Sequence, residues 1–306
     1  MKAQEDYLLN ISKSLKDKLA DKTLLIISAF SGLLLILIAG VMLYESQYFL
    51  TSESLIDTIF GTVWDFEKEI YGLRPYIIGS LLVTGIALLI GGIPSVFCAI
   101  YLSEYASSSL RKILKPFVDL LASIPSVVFG LWGMVVLVPF VRRQVGPFFG
   151  ASTSGQSLLS GGVVLGIMIT PIIISISDEV LQSVPEKYKK ASLALGSTHW
   201  QAIKNNIKNV ALPGIIGGVI LGFGRAIGET IAMSMISGSA TGAPSSIWDT
   251  FSTLTTLINN KIGYVAAEPK SVSALALAGF ILLTIVLITN ILGRIIVNKT
   301  TRRMKK

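Results

Sequence analysis

The sequence predicts an all-α membrane protein with six transmembrane helices, and three observations carry that prediction. Of its 306 residues, 52% are hydrophobic and only 14% charged, against roughly 25% charged in soluble domains; the mean hydropathy is +0.69. Six runs are apolar enough to cross a bilayer, which takes about 20 residues of helix: roughly 24–43, 76–101, 114–141, 158–180, 211–237 and 272–297. Finally, with both termini on the cytoplasmic side, nineteen of the 26 Lys and Arg residues fall in inner segments and six in outer loops. That is the bias of the positive-inside rule. The net charge of +8 is therefore a topology signal; the bilayer is the partner it implies, and nucleic acid need not be invoked.

Residues 1–23 read as a cytoplasmic segment. Leu8, Ile11, Leu15 and Leu19 recur at helical spacing, with Lys13, Lys16, Lys18 and Lys22 on other faces, the pattern of a helix lying on the inner membrane surface; a solvated tail is the alternative. The first span is longer than a signal h-region and ends "GVMLYESQ" without an A-x-A site, so it reads as an uncleaved helix. A six-helix domain then occupies 24–297, followed by a basic cytoplasmic tail, 298–306. One cysteine, Cys98, excludes an internal disulfide, and with the single histidine, His199, leaves little for a zinc or haem site. No metal site is expected.

The inner connection between spans four and five, about 181–210, is the longest. It reads as two short helices. The first runs from about Pro185 to Leu195 and stops at Gly196, a residue suited to the left-handed end of a helix. The second begins at Thr198, which forms a capping-box pattern with Gln201. A helical knuckle carrying Trp200 at the membrane's inner face is a docking surface for a partner, or else a loop packed under its own bundle. This spacing resembles the EAA loop of ABC importer permeases, in which a short coupling helix docks into the ATPase subunit. Lys190-Ala191-Ser192 stands at the Glu-Ala-Ala position, and Gly196 at the glycine. Lysine replaces the glutamate, and Asn206-Ile207-Lys208-Asn209 stands where Ile-x-Leu-Pro is the pattern, with Leu212-Pro213 following. The resemblance assigns ATPase coupling to Ala191, Gly196, Thr198 and Trp200.

Three further stretches, "GTVWDF", "LASIPSVVFGLWGM" and "GFGRAIGET", narrow the match: from about 24 to 297 the chain resembles phosphate ABC transporter permeases of the PstC type. That resemblance implies a type I importer permease fold and a subunit that carries inorganic phosphate into the cell without being an enzyme. It also implies a second permease of the PstA type, two separate ATPase subunits using ATP and Mg, and an extracytoplasmic phosphate-binding protein. The chain itself has no G-x-x-x-x-G-K-[ST] phosphate loop, as a subunit relying on a separate ATPase requires. Another oxyanion, sulfate or molybdate, is the alternative substrate. A stand-alone ion-coupled transporter is a more distant reading, disfavoured by the inner loop and the lack of a detectable inverted repeat. An intramembrane enzyme finds no H-E-x-x-H or G-x-S-x-G motif.

Arg225 and Glu229 are the charged pair of the fifth span. An arginine at mid-span costs roughly 2.5–3.5 kcal/mol to insert, so it should face protein or water. Four residues apart on an unbroken helix, the two would share a face. Arginine before glutamate is the weaker order, and a buried pair often gives no net stability. The guanidinium fork instead matches two oxygens of a tetrahedral oxyanion. Glu229 would orient that fork, or accept a hydrogen bond from hydrogen phosphate. Both are assigned to substrate translocation. Gly214, Gly218 and Gly222, and then Gly224 and Gly228, recur every fourth residue, a spacing that lets helix backbones approach closely. Pro125 and Pro171 are expected to kink spans three and four. Glu104 and Asp119 are expected at the inner interface.

Overall fold

The computed structural model of the chain describes residues 2–51, 55–65, 67–265 and 268–304; side chains of 2–19, 51, 206, 208–209, 264–265 and 299–304 lie outside the description. Helix α1 (Lys2–Glu45) runs unbroken through position 23, so the expected surface segment and the first span are one rod. The amphipathic pattern of Leu8 to Leu19 falls on side chains outside the description. From Ala20 onward none of α1 is buried within this chain, so its apolar surface is left for lipid or another subunit.

Two short helices, α2 (Gln47–Thr51) and α3 (Leu55–Phe60), lead into a hairpin of β1 (Trp64–Asp65) and β2 (Ile70–Tyr71), antiparallel with Trp64 opposite Tyr71. Phe49, Trp64, Tyr71 and Tyr76 meet edge-on, with ring centroids 5.1–5.9 Å apart, the geometry aromatic quadrupoles favour. The Tyr71 hydroxyl lies 2.8 Å from Ser271 Oγ, tying this aromatic cluster to the last helix.

Helix α4 (Arg74–Glu104) is the second span. The third departs from the expected 114–141. Residues 108–123 form a separate amphipathic helix, α5 (Ser108–Ser123), whose first turn is capped by Ser107 Oγ accepting from the Leu110 N–H at 3.3 Å. Ile124 and Pro125 are extended, with ψ of 127° and 142°, because a proline disfavours helical geometry in the residue before it. The span itself is α6 (Ser126–Phe148). Pro125 therefore starts this helix and kinks nothing, whereas Pro171 sits inside the continuous α7 (Leu158–Gln182).

Beyond α7 come α8 (Glu186–Ala194) and α9 (His199–Asn206), then the expected fifth span. It is broken. Helix α10 (Leu212–Ile227) ends at Gly228, Glu229 and Thr230 are non-helical, and α11 (Ile231–Ile236) resumes. Helices α12 (Leu254–Val265) and α13 (Pro269–Met304) complete the chain, α13 running on without a break into the basic tail. Among the described residues five helices are long and apolar enough to cross a membrane, and α10 is a sixth, shorter apolar one.

α7 is the hub, with over half of its apolar stretch buried. Leu165, Met168, Ile169 and Ile173 pack with Val83 and Ala87 of α4, Phe129 of α6, and Met233 and Ile236 of α11. Gly91 of α4 faces the Gly166 backbone so closely that a Cβ there would collide with it. The same stretch, Leu88–Gly92, takes a π-helical turn.

Candidate functional site

Helix α10 has two unlike faces. A Cβ on Gly214, Gly218 or Gly222 would press on Val180, Ile176 or Ile173 of α7, so this four-residue glycine repeat zips α10 onto α7. On the other side Gly217 and Gly224 meet nothing within 4 Å, and Leu221, Arg225 and Gly228 are exposed. At Gly228 a Cβ would meet only its own helix backbone. The expected second glycine pair thus packs against nothing in this chain, while the first packs as its spacing implies.

Arg225 stands in the last turn of α10 on the open face, where a cation complements the partial negative charge of the helix end. It makes no ion pair with a described carboxylate. The expected Arg225–Glu229 pairing fails for a local reason: the helix stops between the two, so four residues no longer return the chain to the same face. Glu229 turns toward the next helix instead, and its Oε1 accepts from the Ala232 N–H at 3.2 Å. Its backbone carbonyl accepts from the Thr255 hydroxyl at 2.9 Å, which pins the break against α12. Non-helical backbone at membrane depth is tolerated where protein buries it or where it lines a watery cavity, and interrupted helices are where transporters hold their substrates. Thr230 spends its hydroxyl locally, on the Gly228 carbonyl at 3.2 Å.

At the basic end of the bundle, α8 and α9 form the knuckle. Gly196 has φ +84°, and the Thr198–Gln201 capping box is complete. Ala202 and Ile203 are buried beneath it, while Tyr188, Leu193, Leu195 and Trp200 present an exposed apolar surface. Ala191 lies in the middle of α8. The loop therefore packs under its own bundle on one side and leaves an apolar side exposed. Two contacts fix the knuckle to the end of α4: Lys189 Nζ to Glu104 Oε2 at 2.7 Å, and His199 edge-on to Tyr105 at 5.4 Å. Glu104, at the end of α4, thus holds the loop. Asp119 is exposed and 3.6 Å from Lys115.

The sequence reading missed the strongest electrostatic feature. Asp178, 1% exposed on α7, accepts two hydrogen bonds from Arg111 Nη2 at 2.8 and 2.9 Å and one from Gln182 Nε2 at 2.8 Å. Lys115 Nζ lies 3.9 Å away and bonds Ser175 Oγ at 3.1 Å. An acid inside an apolar run, three residues before the loop, was the available signal.

At the other end, Asp249 organises the loop that begins α7. Its Oδ2 accepts from the Ser245 hydroxyl at 2.8 Å and from the Ser245 and Ser246 N–H groups, both at 2.9 Å. Its carbonyl accepts from the Leu158 N–H at 3.0 Å. Those bonds, the Ser245 hydroxyl foremost, hold the carboxyl below its ordinary value of 3.8. A lowered folded-state value contributes stability above the ordinary value that is lost as pH falls through the folded one. We expect amide exchange at Ser245 and Ser246, corrected for its intrinsic rate, to be flat above about pH 5 and to accelerate only below about pH 4. In Asp249→Asn that acid step should vanish.

A multi-pass helical bundle, interrupted beside an outward-facing arginine and carrying a helical knuckle at one end, defines a membrane-embedded transport subunit. The chain belongs to the family of binding-protein-dependent transport system inner membrane components, whose profile matches residues 95–302. It is 39% identical over 213 residues to the probable ABC transporter permease protein YqgH of Bacillus subtilis, covering 70% of this chain and 67% of that one. It is 35% identical to the probable phosphate transport system permease protein PstC of Methanocaldococcus jannaschii, covering 78% and 80%. To the phosphate transport system permease protein PstC of Haemophilus influenzae it is 33% identical, covering 78% and 79%. The fold is shared with the inward-facing MetNI methionine ABC transporter, at TM-score 0.54 and 21% identity over 75% of this chain and 94% of that one. A bacterial ABC transporter involved in alginate import matches at TM-score 0.56 and 16% identity, covering 84% and 95%.

Proposed function

We propose that this chain is the membrane-spanning permease subunit of an ATP-driven importer of inorganic phosphate, with both termini cytoplasmic. The observation that carries the reading is Arg225. It is an exposed cation beside the break in a span, without a described carboxylate to neutralise it, in a chain whose relatives are named as phosphate permeases. A dehydrated oxyanion needs such a counter-charge, and the guanidinium fork offers it in bidentate form. Glu229 helps indirectly, by capping α11 and fixing the break next to the arginine.

In this reading the open face of α10, with Gly217, Gly224 and Gly228, lies against a second permease of the PstA type, and phosphate passes between the two. The knuckle around Ala191, Gly196, Thr198 and Trp200 docks into one of two ATPase subunits, which use ATP and Mg. A phosphate-binding protein delivers the ion at the opposite end. The test is uptake of radiolabelled phosphate into vesicles carrying the assembled transporter, with sulfate and molybdate as competitors. We expect ATP-dependent phosphate accumulation that tenfold excesses of either competitor leave nearly unchanged. Preferential uptake of sulfate or molybdate would reassign the substrate.

A further inference from the structure

Outside the break around Arg225, a cleft joins a buried tyrosine to exposed polar residues and a cation. It has a volume of about 250 Å³ at the end of the bundle away from the knuckle. Tyr76 at the start of α4, Ser239 and Thr241 in the segment after α11, and Thr256, Asn260 and Lys261 on α12 line it. The wall is a built one. Gly238 and Ser239 both take positive φ, +77° and +52°, to turn the chain out of α11. The Ser252 hydroxyl then holds that turn by donating to the Ala240 carbonyl at 2.8 Å.

The lining carries one cation and no acid. Tyr76 is 3% exposed, its ring edge-on to Trp64 at 5.9 Å, yet its hydroxyl bonds to no described residue. Lys261 forms no ion pair with a described carboxylate. Asn260 accepts through Oδ1 from Asn259 at 3.3 Å, which leaves its own amide N–H groups to give. Thr256, by contrast, is satisfied internally, accepting from the Thr253 N–H at 2.8 Å and donating to the Thr253 carbonyl at 2.9 Å. The Tyr76 hydroxyl opens onto the cavity with its proton to give, and Lys261 lines the same cavity with no carboxylate on the wall. A cation and neutral N–H and O–H donors around one space suit an oxyanion.

We infer that this cavity is a second oxyanion site, in which Lys261, Tyr76 and Asn260 hold the ion before it reaches Arg225. The ion is inorganic phosphate to the extent that the permease reading above holds. The route is short in structural terms. Thr255, one residue from Thr256 on the first turn of α12, donates to the Glu229 carbonyl in the break itself. The turn that floors the cavity is thus bonded to the segment following Arg225. Lysine rather than arginine suits such a station, since a point charge on a flexible stem releases an ion more readily than a bidentate fork.

The experiment is equilibrium binding of radiolabelled phosphate, and separately of sulfate, to the assembled transporter in lipid nanodiscs without added binding protein. In an Arg225→Gln complex saturable phosphate binding should persist. Adding Lys261→Gln should weaken it at least tenfold, Tyr76→Phe several-fold, and Lys261→Arg should keep it, which separates lost chemistry from lost folding. The inference is overturned if Lys261→Gln changes nothing in the Arg225→Gln background, or if Arg225→Gln alone removes all binding. Sulfate binding that depends on Lys261, without phosphate binding, upholds the cavity as an oxyanion site and overturns the phosphate reading.

Discussion

Replacing Arg225 by alanine is expected to abolish phosphate uptake, by at least a hundredfold, while the transporter still assembles and is recovered with its ATPase. Assembly should survive because the arginine touches no described carboxylate and is exposed on α10. Its removal therefore leaves no buried partner stranded. Transport should fail because the dehydrated ion loses its only bidentate counter-charge at the break. Arg225→Lys should recover little, since it keeps the charge and loses the fork. The measurement is ATP-dependent uptake in vesicles, normalised to assembled complex. Near-normal uptake by the alanine variant removes Arg225 from the mechanism. Glu229→Gln serves as the contrast: an amide oxygen can still accept from the Ala232 N–H, so the variant should transport at a reduced rate.

The second large effect is on stability, and it is asymmetric. Asp178 is almost wholly buried, whereas the Arg111 side chain is about a quarter exposed, at 27%. Removing Arg111 leaves a buried carboxylate with the Gln182 amide at 2.8 Å and, for charge, Lys115 at 3.9 Å; stranding one member of a buried pair costs about 3–5 kcal/mol. Removing the charge from Asp178 leaves cations that can turn toward water. We therefore expect Arg111→Met to lower the unfolding midpoint clearly more than Asp178→Asn, and the double variant to resemble Asp178→Asn. Thermal unfolding of the purified complex ranks the three. An Asp178→Asn variant less stable than Arg111→Met would mean that burial of the acid is not what governs this site.

The contrast between these two sites shows what the sequence can carry. Five of the spans, the knuckle and its capping box follow from local rules, apolar run length and the spacing of Gly196, Thr198 and Gln201, and the structure has them. The glycine repeat at 214, 218 and 222 was equally readable, because a four-residue period on a helix names a face. Which neighbour that face meets, and that Gly224 and Gly228 would meet none, depends on long-range packing. The break at Gly228–Thr230 was hidden because apolar residues flank it on both sides, so run length alone joins two helices into one. The same averaging fused α5 to α6 across Pro125. Asp178 was visible as an acid in an apolar run, but its partner Arg111 lies 67 residues away and had been counted only toward the charge bias.

The zipper between α7 and α10 has a mechanical consequence. The knuckle hangs between these two helices, and Val180, Ile176 and Ile173 are seated so closely over successive glycines that the two rods are coupled along this seam. A displacement applied to the knuckle therefore propagates through both as a single lever. Arg225 rides at its far tip, in the last turn before the helix stops at Gly228.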